Sequence, residues 1–232
     1  MQTLSRASYI LSVISKVGKV SVHELSEELD VSLETIRRDL KRLDDKGELI
    51  RVHGGAVCKE YKDEGTSFNK RASNNIDDKK HLVEKALSYI YKGAVIGLDA
   101  SSSSWHVAQA MPDIECTVVT NSVNNINVLS GKRNITIICL GGFYSEKYKA
   151  FYGMLTKNAL SEMSLDLCFI SCSGFEETGS VWDSNEYNYD IKGEFIKSSE
   201  TSILLADKSK RNKKSLLKIC DFTDLDILIS NS

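Results

Sequence analysis

Six short apolar runs in the later part of the chain constrain its fold more than any other feature. They cover residues 94–98, 117–120, 135–140, 167–172, 203–206 and 227–230. Stretches long enough for a helical crossover separate them. Near-continuous apolar strands alternating with helices imply a parallel sheet covered on both faces. The expected class is α/β, with a doubly wound, mostly parallel domain over residues 76–232.

Ligands of such sheets bind beyond the carboxyl ends of the strands, where the strand order reverses. The first run is followed by Asp99, Ala100 and the serines Ser101, Ser102, Ser103 and Ser104, ahead of a helix opening near Trp105. Hydroxyls and free backbone N–H groups at a helix start suit an anion. The second run ends in Thr120, Asn121 and Ser122. The third ends in Gly141 and Gly142, which let backbone approach a ligand closely. Ser173, Gly174 and Phe175 follow the fourth, and Asp207, Lys208, Ser209 and Lys210 the fifth. Singly, these are caps and turns. Converging on one edge, they describe a site for a phosphate-bearing or polyhydroxy ligand.

The amino-terminal residues have a different rhythm. A helix is expected over 5–16, with Ile10, Val13, Ile14 and Val17 in one stripe, ended by Gly18. Ser21 and Glu24 form a capping box for a second helix that runs to Leu29. After a turn at Asp30 and Val31, Ser32 caps a third helix. On that helix Leu33, Ile36, Leu40 and Leu43 fall within about 80° at 100° per residue. Thr35, Arg38, Lys41 and Arg42 project from the opposite side, with Arg37 on the flank. A helix-turn-helix reader of DNA needs this division, and Arg pairs bidentately with guanine or phosphate. The competing reading is a solvated face, which Glu34, Asp39, Asp44 and Asp45 favour. The next residues favour DNA. Gly47 ends the helix, residues 49–52 read as a strand, and Ala56 and Val57 return after His53, Gly54 and Gly55. A hairpin there makes a winged helix, with Arg51 and His53 on the wing. Residues 1–57 are therefore expected to form a winged helix-turn-helix domain. Residues 58–75, polar and without apolar periodicity, are expected to link it to the second domain, with Phe68 as an anchor. A helix with Leu82, Ala86, Leu87 and Ile90 in one stripe follows, ended by Gly93.

The chain of 232 residues carries a formal net charge of −2, so no global basic field draws it to nucleic acid. Its six cysteines, Cys58, Cys116, Cys139, Cys168, Cys172 and Cys220, form no Cys-x-x-Cys pair. They read as reduced and structural, as in a cytoplasmic protein. No His lies at ligand spacing near them, so neither a metal nor a cofactor is expected. There is no apolar signal region, and no run approaches the ~18 apolar residues of a membrane span.

The residues Thr35-Ile36-Arg37-Arg38-Asp39-Leu40, followed by Arg51-Val52-His53-Gly54-Gly55-Ala56, carry a specific resemblance. Together with Val20 to Ser26 and Val31 to Ser32, they resemble the DeoR-type family of bacterial sugar-metabolism regulators. The similarity continues through Val119-Thr120-Asn121-Ser122, Leu140-Gly141-Gly142, Gly153, Asp166 to Gly174, Ile191-Lys192 and Leu205 to Lys210. The family's phosphate loop reads Asp-Ser-Gly-Thr-Thr. Here Asp99-Ala100-Ser101-Ser102-Ser103 replaces it, with Ser101 at the place of the Gly. The resemblance implies an effector domain similar to sugar-phosphate isomerases and adds Lys192 to the effector residues. The chain stops soon after its last strand, where family members usually run further, so a short carboxyl end is expected.

The resulting expectation is a transcriptional regulator, at least a dimer and a dimer or tetramer by class. Its winged helices would read double-stranded operator DNA, and a phosphorylated sugar or polyol would act as effector. The resemblance implies a repressor of a catabolic operon that the effector releases, with activation left open. The rival reading is an isomerase-like enzyme fused to a DNA-binding module, with Asp99, Asp166 or Glu186 as base and Lys192, Lys208 or Lys210 as stabiliser. No acid–base pair stands at a readable spacing, so no catalytic residue and no enzyme is expected. A ligand-free dimerisation domain is the third reading.

Overall fold

The computed structural model describes residues 3–52, 54–58 and 65–231. The chain divides into two compact units between Asp63 and Glu64.

The first unit runs α1 (Thr3–Val17), β1 (Lys19–Ser21), α2 (Val22–Leu29), α3 (Leu33–Asp45), β2 (Ile50–Val52) and β3 (Gly55–Val57). The capping box on α2 forms as expected: the Ser21 hydroxyl accepts the Glu24 N–H, and the Glu24 carboxylate accepts the Ser21 N–H. Ile10, Ile14, Leu25, Ile36, Leu40 and Leu43 meet in one core, with Leu33 packed against it. Strand β1 is absent from the sequence reading, since three residues are too few to show alternation. It pairs antiparallel with β3 and makes the wing three-stranded, in the order β1-β3-β2. This pairing explains Gly55, where a Cβ would stand 2.0 Å from the Val20 carbonyl oxygen. Gly54 has φ +79° and supplies the turn.

The second unit opens with α4 (Phe68–Ser73) and α5 (Ile76–Leu87), then β4 (Val95–Leu98), α6 (Ser102–Ala110), β5 (Cys116–Thr120), α7 (Val123–Leu129) and β6 (Ile135–Cys139). A hairpin of β7 (Phe143–Ser145) and β8 (Ala150–Tyr152) leads to α8 (Met154–Ser161) and β9 (Leu165–Ile170). Then come β10 (Gly174–Phe175), β11 (Ser180–Asp183), α9 (Glu186–Lys197), β12 (Ser199–Leu205), β13 (Leu217–Asp221) and β14 (Ile227–Ile229). All six apolar runs lie in one parallel sheet, ordered β14-β12-β9-β4-β5-β6.

Both faces of that sheet are buried, which is why its strands lack alternation. Ile96, Val118, Phe169 and Ile203 pack against Leu82 and Ala86 of α5 and Val107 of α6. Val119, Cys168, Ile170 and Leu204 face Leu160 of α8 and Phe195 of α9. Helix α9 sits so close to β4 that a Cβ on Gly97 would lie 2.8 Å from the Phe195 ring. The two small antiparallel sheets, β7-β8 and β10-β11-β13, are absent from the sequence reading. Their strands are short and sit between longer, stronger signals.

The expected linker at 58–75 needs correction. Residues 59–64 lie outside the described residues, and those after them belong to the second unit. Phe68 is buried and meets Trp105 edge-on at 5.7 Å. Its N–H donates to the Lys147 carbonyl at 2.9 Å. Helix α4 is too short for a helical stripe to show. The six cysteines are unpaired, and Cys116, Cys168 and Cys172 are buried, but Cys139 at the end of edge strand β6 is exposed. Among the described residues, no helix is long and apolar enough to cross a membrane.

Candidate functional site

The chain steps from β4 outward to β5 and β6, then returns to place β9 on the other side of β4. The order therefore reverses between β4 and β9, and the loops leaving them diverge. A cavity of about 370 Å³ opens at this point. Ser101, Ser102 and Ser103 line it after β4, Ser171 to Ser173 after β9, and Asp207, Ser209 and Lys210 after β12. The switch point thus selects among the five polar strand ends: those of β4, β9 and β12 converge.

The ends of β5 and β6 do not line it. Thr120 donates its hydroxyl to the Leu98 carbonyl at 2.6 Å and accepts from Asn125. Asn121 is buried and donates to the Phe151 carbonyl at 2.9 Å, tying β5 to β8. The Gly141 carbonyl accepts the Thr156 hydroxyl. Gly142, with φ +153°, has no room for a Cβ because the Thr156 hydroxyl and the Tyr152 carbonyl crowd it. Gly174 is in β10, where a Cβ would lie 2.2 Å from the Lys213 carbonyl. These five residues hold neighbouring elements together and are corrected from effector contacts to structural positions.

Asp99 lies fully buried beneath the cavity and does not line it. One carboxylate oxygen accepts the Ser101 N–H at 3.0 Å and the Ser104 hydroxyl at 2.5 Å; the other accepts the Ser171 N–H at 3.1 Å. It therefore shapes both loops that face a ligand. Ser101 accommodates the loss of the family's loop Gly because its φ is −81°. It acts as the N-cap of α6, its hydroxyl accepting the Ser104 N–H.

Lys192 crosses from α9 to complete this floor. Its Nζ donates to Asp183 and to the Ser171 carbonyl, both at 2.6 Å, and stands 3.5 Å from Asp99. Burial alone would lower its pKa, but Asp183 and Asp99 outweigh burial and hold it above the ordinary lysine value. The Asp183 carboxylate also accepts the Ser184 N–H and the Asn188 side-chain amide, and Asn188 in turn accepts the Tyr152 hydroxyl.

Sequence reasoning missed Asp183, Ser184 and Asn188, which come from short strand β11 and the start of α9. It also missed the cavity's opposite wall, Thr66, Arg71, Asn74, Asn75 and Lys79, because that segment read as a linker. Lys79 is a buried cation, a signal that its place on an amphipathic helix hid. Burial lowers its pKa to about 8; Asp207 acts against this, while Arg71 and Lys210 reinforce it. Arg71, Lys79 and Lys210 against Asp207 leave this wall net positive. The remaining enzyme candidates lie elsewhere: Asp166, on β9, accepts the Val95 N–H at the amino end of β4, Lys208 faces Asp78, and Glu186 is buried in the first turn of α9, outside the cavity lining. Among the described residues, no cluster of His, Cys, Asp or Glu could hold a metal ion.

On the first unit Arg37, Arg38, Lys41, Arg42 and Arg51 are exposed, and Thr35 is half-buried. Ser32 caps α3, its oxygen accepting the Thr35 N–H at 3.2 Å. Arg37 leans 3.8 Å from Glu34. Asp39 does not interrupt the basic face: it is buried and paired with Arg6 of α1. Asp44 accepts the Arg51 N–H, joining α3 to the wing. His53 lies outside the described residues.

A DeoR-like helix-turn-helix domain matches residues 6–62, and a DeoR C terminal sensor domain matches residues 74–232. The chain belongs to the DeoR family. As a DeoR-family protein it is a DNA-binding transcriptional regulator of sugar metabolism, not an enzyme. The L-fucose operon activator of Haemophilus influenzae is 46% identical over 97% of this chain and 91% of its own length. The L-fucose operon activator of Escherichia coli is 34% identical over 98% and 94%. The transcriptional repressor GlcR of Bacillus subtilis is 30% identical over 96% and 86%. A D-ribose-5-phosphate isomerase structure overlays 60% of this chain and 55% of its own at TM-score 0.45 and 16% identity, too distant to carry an argument.

Proposed function

We propose that this DeoR-family regulator senses a phosphorylated sugar or polyol in the cavity at the β4–β9 switch point and thereby changes its hold on operator DNA. The observation that carries the reading is the cavity's chemistry. Serine hydroxyls at the α6 start and a wall holding Arg71, Lys79 and Lys210 suit a phosphoryl group. Ser173, Ser184 and Asn188 suit hydroxyls of a polyol chain. The residues proposed to contact the effector are Ser101, Ser102, Ser103, Ser173, Lys210, Arg71, Lys79 and Asn188. Asp99 and Lys192 position them. Ser32, Thr35, Arg37, Arg38, Lys41, Arg42 and Arg51 are proposed to meet DNA, in a homo-oligomer that pairs two reading heads.

The sense of control proposed is activation of a sugar catabolic operon, after the two L-fucose operon activators. Repression relieved by the effector, the sense implied by the resemblance alone, is the second reading, and the similarity to GlcR supports it. A thermal-shift screen of pentose, hexose and deoxyhexose phosphates against the free sugars tests the effector class. Stabilisation by a phosphorylated compound and not by its free sugar is expected; the reverse pattern would sink the reading. A reporter fused to the adjoining promoter, with and without the regulator, separates activation from repression.

A further inference from the structure

We propose that residues 65–79 carry effector occupancy out of the cavity: a phosphoryl group held by Lys79 and Arg71 re-sets the joint between α4 and α5, on the segment that follows the DNA-binding unit. This rests on the phosphoryl reading of the cavity and adds a route by which it is read out.

The joint is held by the groups a phosphoryl would engage. Lys79 Nζ donates to the Arg71 carbonyl and, at 2.7 Å, to the Asn74 carbonyl. Those carbonyls belong to the last turn and C-cap of α4. A buried ammonium has three protons; two go to these carbonyls, and a ligand oxygen that takes the third draws the ammonium, and the end of α4 bonded to it, toward the cavity. Arg71 is poised differently. Its guanidinium lies 5.9 Å from the Phe68 ring centroid and 5.6 Å from that of Tyr148. Its Nη2 reaches the Ala100 carbonyl only at 3.4 Å, and its buried Nε has no hydrogen-bond partner. Ring contacts fix its position while most of its donors remain unspent.

The joint itself is lightly tied. Asn75 has left-handed backbone, φ 53°, and its amide reaches Asp207 and Ser209 only at 3.4 Å. The far end of α4 is gripped firmly by the Phe68–Trp105 contact and the Phe68 N–H bond to Lys147. Trp105 sits on α6, whose first turn also faces the ligand. The opposite side of the cavity offers no such freedom, because Lys192, Asp183 and Asp99 satisfy one another. A ligand drawn between the two sides moves the one that can yield.

The test uses the full chain and inorganic phosphate, with sodium chloride at matched ionic strength as control. Amide exchange at residues 71–79 should change several-fold on adding phosphate, while the β4 and β9 amides stay as they are. Lys79→Gln should show the altered exchange without phosphate and no further response to it. Phosphate that stabilises the chain thermally but leaves exchange at 71–79 unchanged would overturn the proposal. If phosphate gives no thermal shift, the phosphoryl reading itself falls, and this inference with it. The readout arm uses a duplex selected by the full chain from random DNA. Trp105→Phe, which loosens the hold on Phe68 but leaves both rings against Arg71 and every residue of the cavity lining in place, should keep the phosphate-induced thermal shift and blunt the phosphate-induced change in duplex affinity. Trp105→Leu loosens the same contact if that variant fails to fold. Equal responses of wild type and variant would overturn the role of α4 in transmission.

Discussion

The ammonium of Lys192 lies 3.5 Å from the carboxylate of Asp99; Asp99 is fully buried, and Lys192 is nearly so at the edge of the cavity. Asp183, at 2.6 Å on the other side, completes a buried group of two acids and one base. Coulomb attraction alone does not make such a group stabilising, since burying charges carries a large desolvation cost. Removing one member leaves the others unpaired in a dry interior. Lys192→Met should therefore destabilise the chain by about 3–5 kcal/mol, measured by urea unfolding. Asp99→Ala should cost a similar amount, since it also strands the Ser101 and Ser171 N–H groups. An Asp99→Ala chain as stable as wild type, deaf only to effector, would return Asp99 to the ligand contacts.

In the folded chain the Lys79 pKa falls from 10.5 to about 8. Between those values the unfolded chain binds the proton more tightly, so the cost of burying the ammonium is present below about 8 and relieved toward 10.5. Relative to Lys79→Gln, stability should rise across that window. Phosphate affinity should move the other way and fall as pH rises through about 8. Calorimetry near that pH, in buffers of different ionisation heat, should register proton uptake on phosphate binding. Buffer-independent heats would remove Lys79 from the anion site.

Arg38 stands exposed on α3, opposite the face that packs on α1 and α2. Arg38→Ala should weaken operator binding by about 1–3 kcal/mol if it meets a base edge. Lys41→Ala should instead reduce affinity alike for all duplexes and shallow the salt dependence. Unchanged operator affinity on both substitutions would contradict the assignment of this face. Asp39→Ala tests the inward pairing with Arg6 and should lower the melting temperature of the first unit.

Two adjacent glycines should behave differently. Gly54→Ala has open space but must keep φ +79°, at a cost of about 1 kcal/mol. Gly55→Ala would press its methyl into the Val20 carbonyl, and overlap with backbone should cost about 3 kcal/mol. It should also part β1 from β3 and lower operator affinity. Equal losses at both positions, read from unfolding midpoints, would deny the β1–β3 contact.

The six strands of the parallel sheet were legible because each carries a near-continuous apolar run, the pattern that burial on both faces demands. The α3 wheel was legible because helical spacing repeats over 13 residues. What escaped was short or depended on distance in space. Three-residue β1 offers no periodicity, yet it dictates Gly55. Thr120, Asn121, Gly141 and Gly142 follow strands as Ser101 and Ser173 do. Only the order of strands in the sheet separates those that face the cavity from those that fasten β5 and β6. Asp39 read as a surface acid because its partner, Arg6, lies on another helix. Arg71 and Lys79 escaped because a polar segment resembles a tether until Phe68 is seen docked on Trp105.

The self-satisfied floor under Asp99 and Lys192 and the net-positive wall at Arg71 and Lys79 stand on different mutational footing. A change in the floor threatens the fold before it alters recognition. A change at Thr66, Asn74 or Asn75 alters what the cavity accepts while the sheet keeps its shape. Divergence among descendants of this scaffold is therefore channelled: new effectors can be acquired by replacing the wall one residue at a time over an inherited floor.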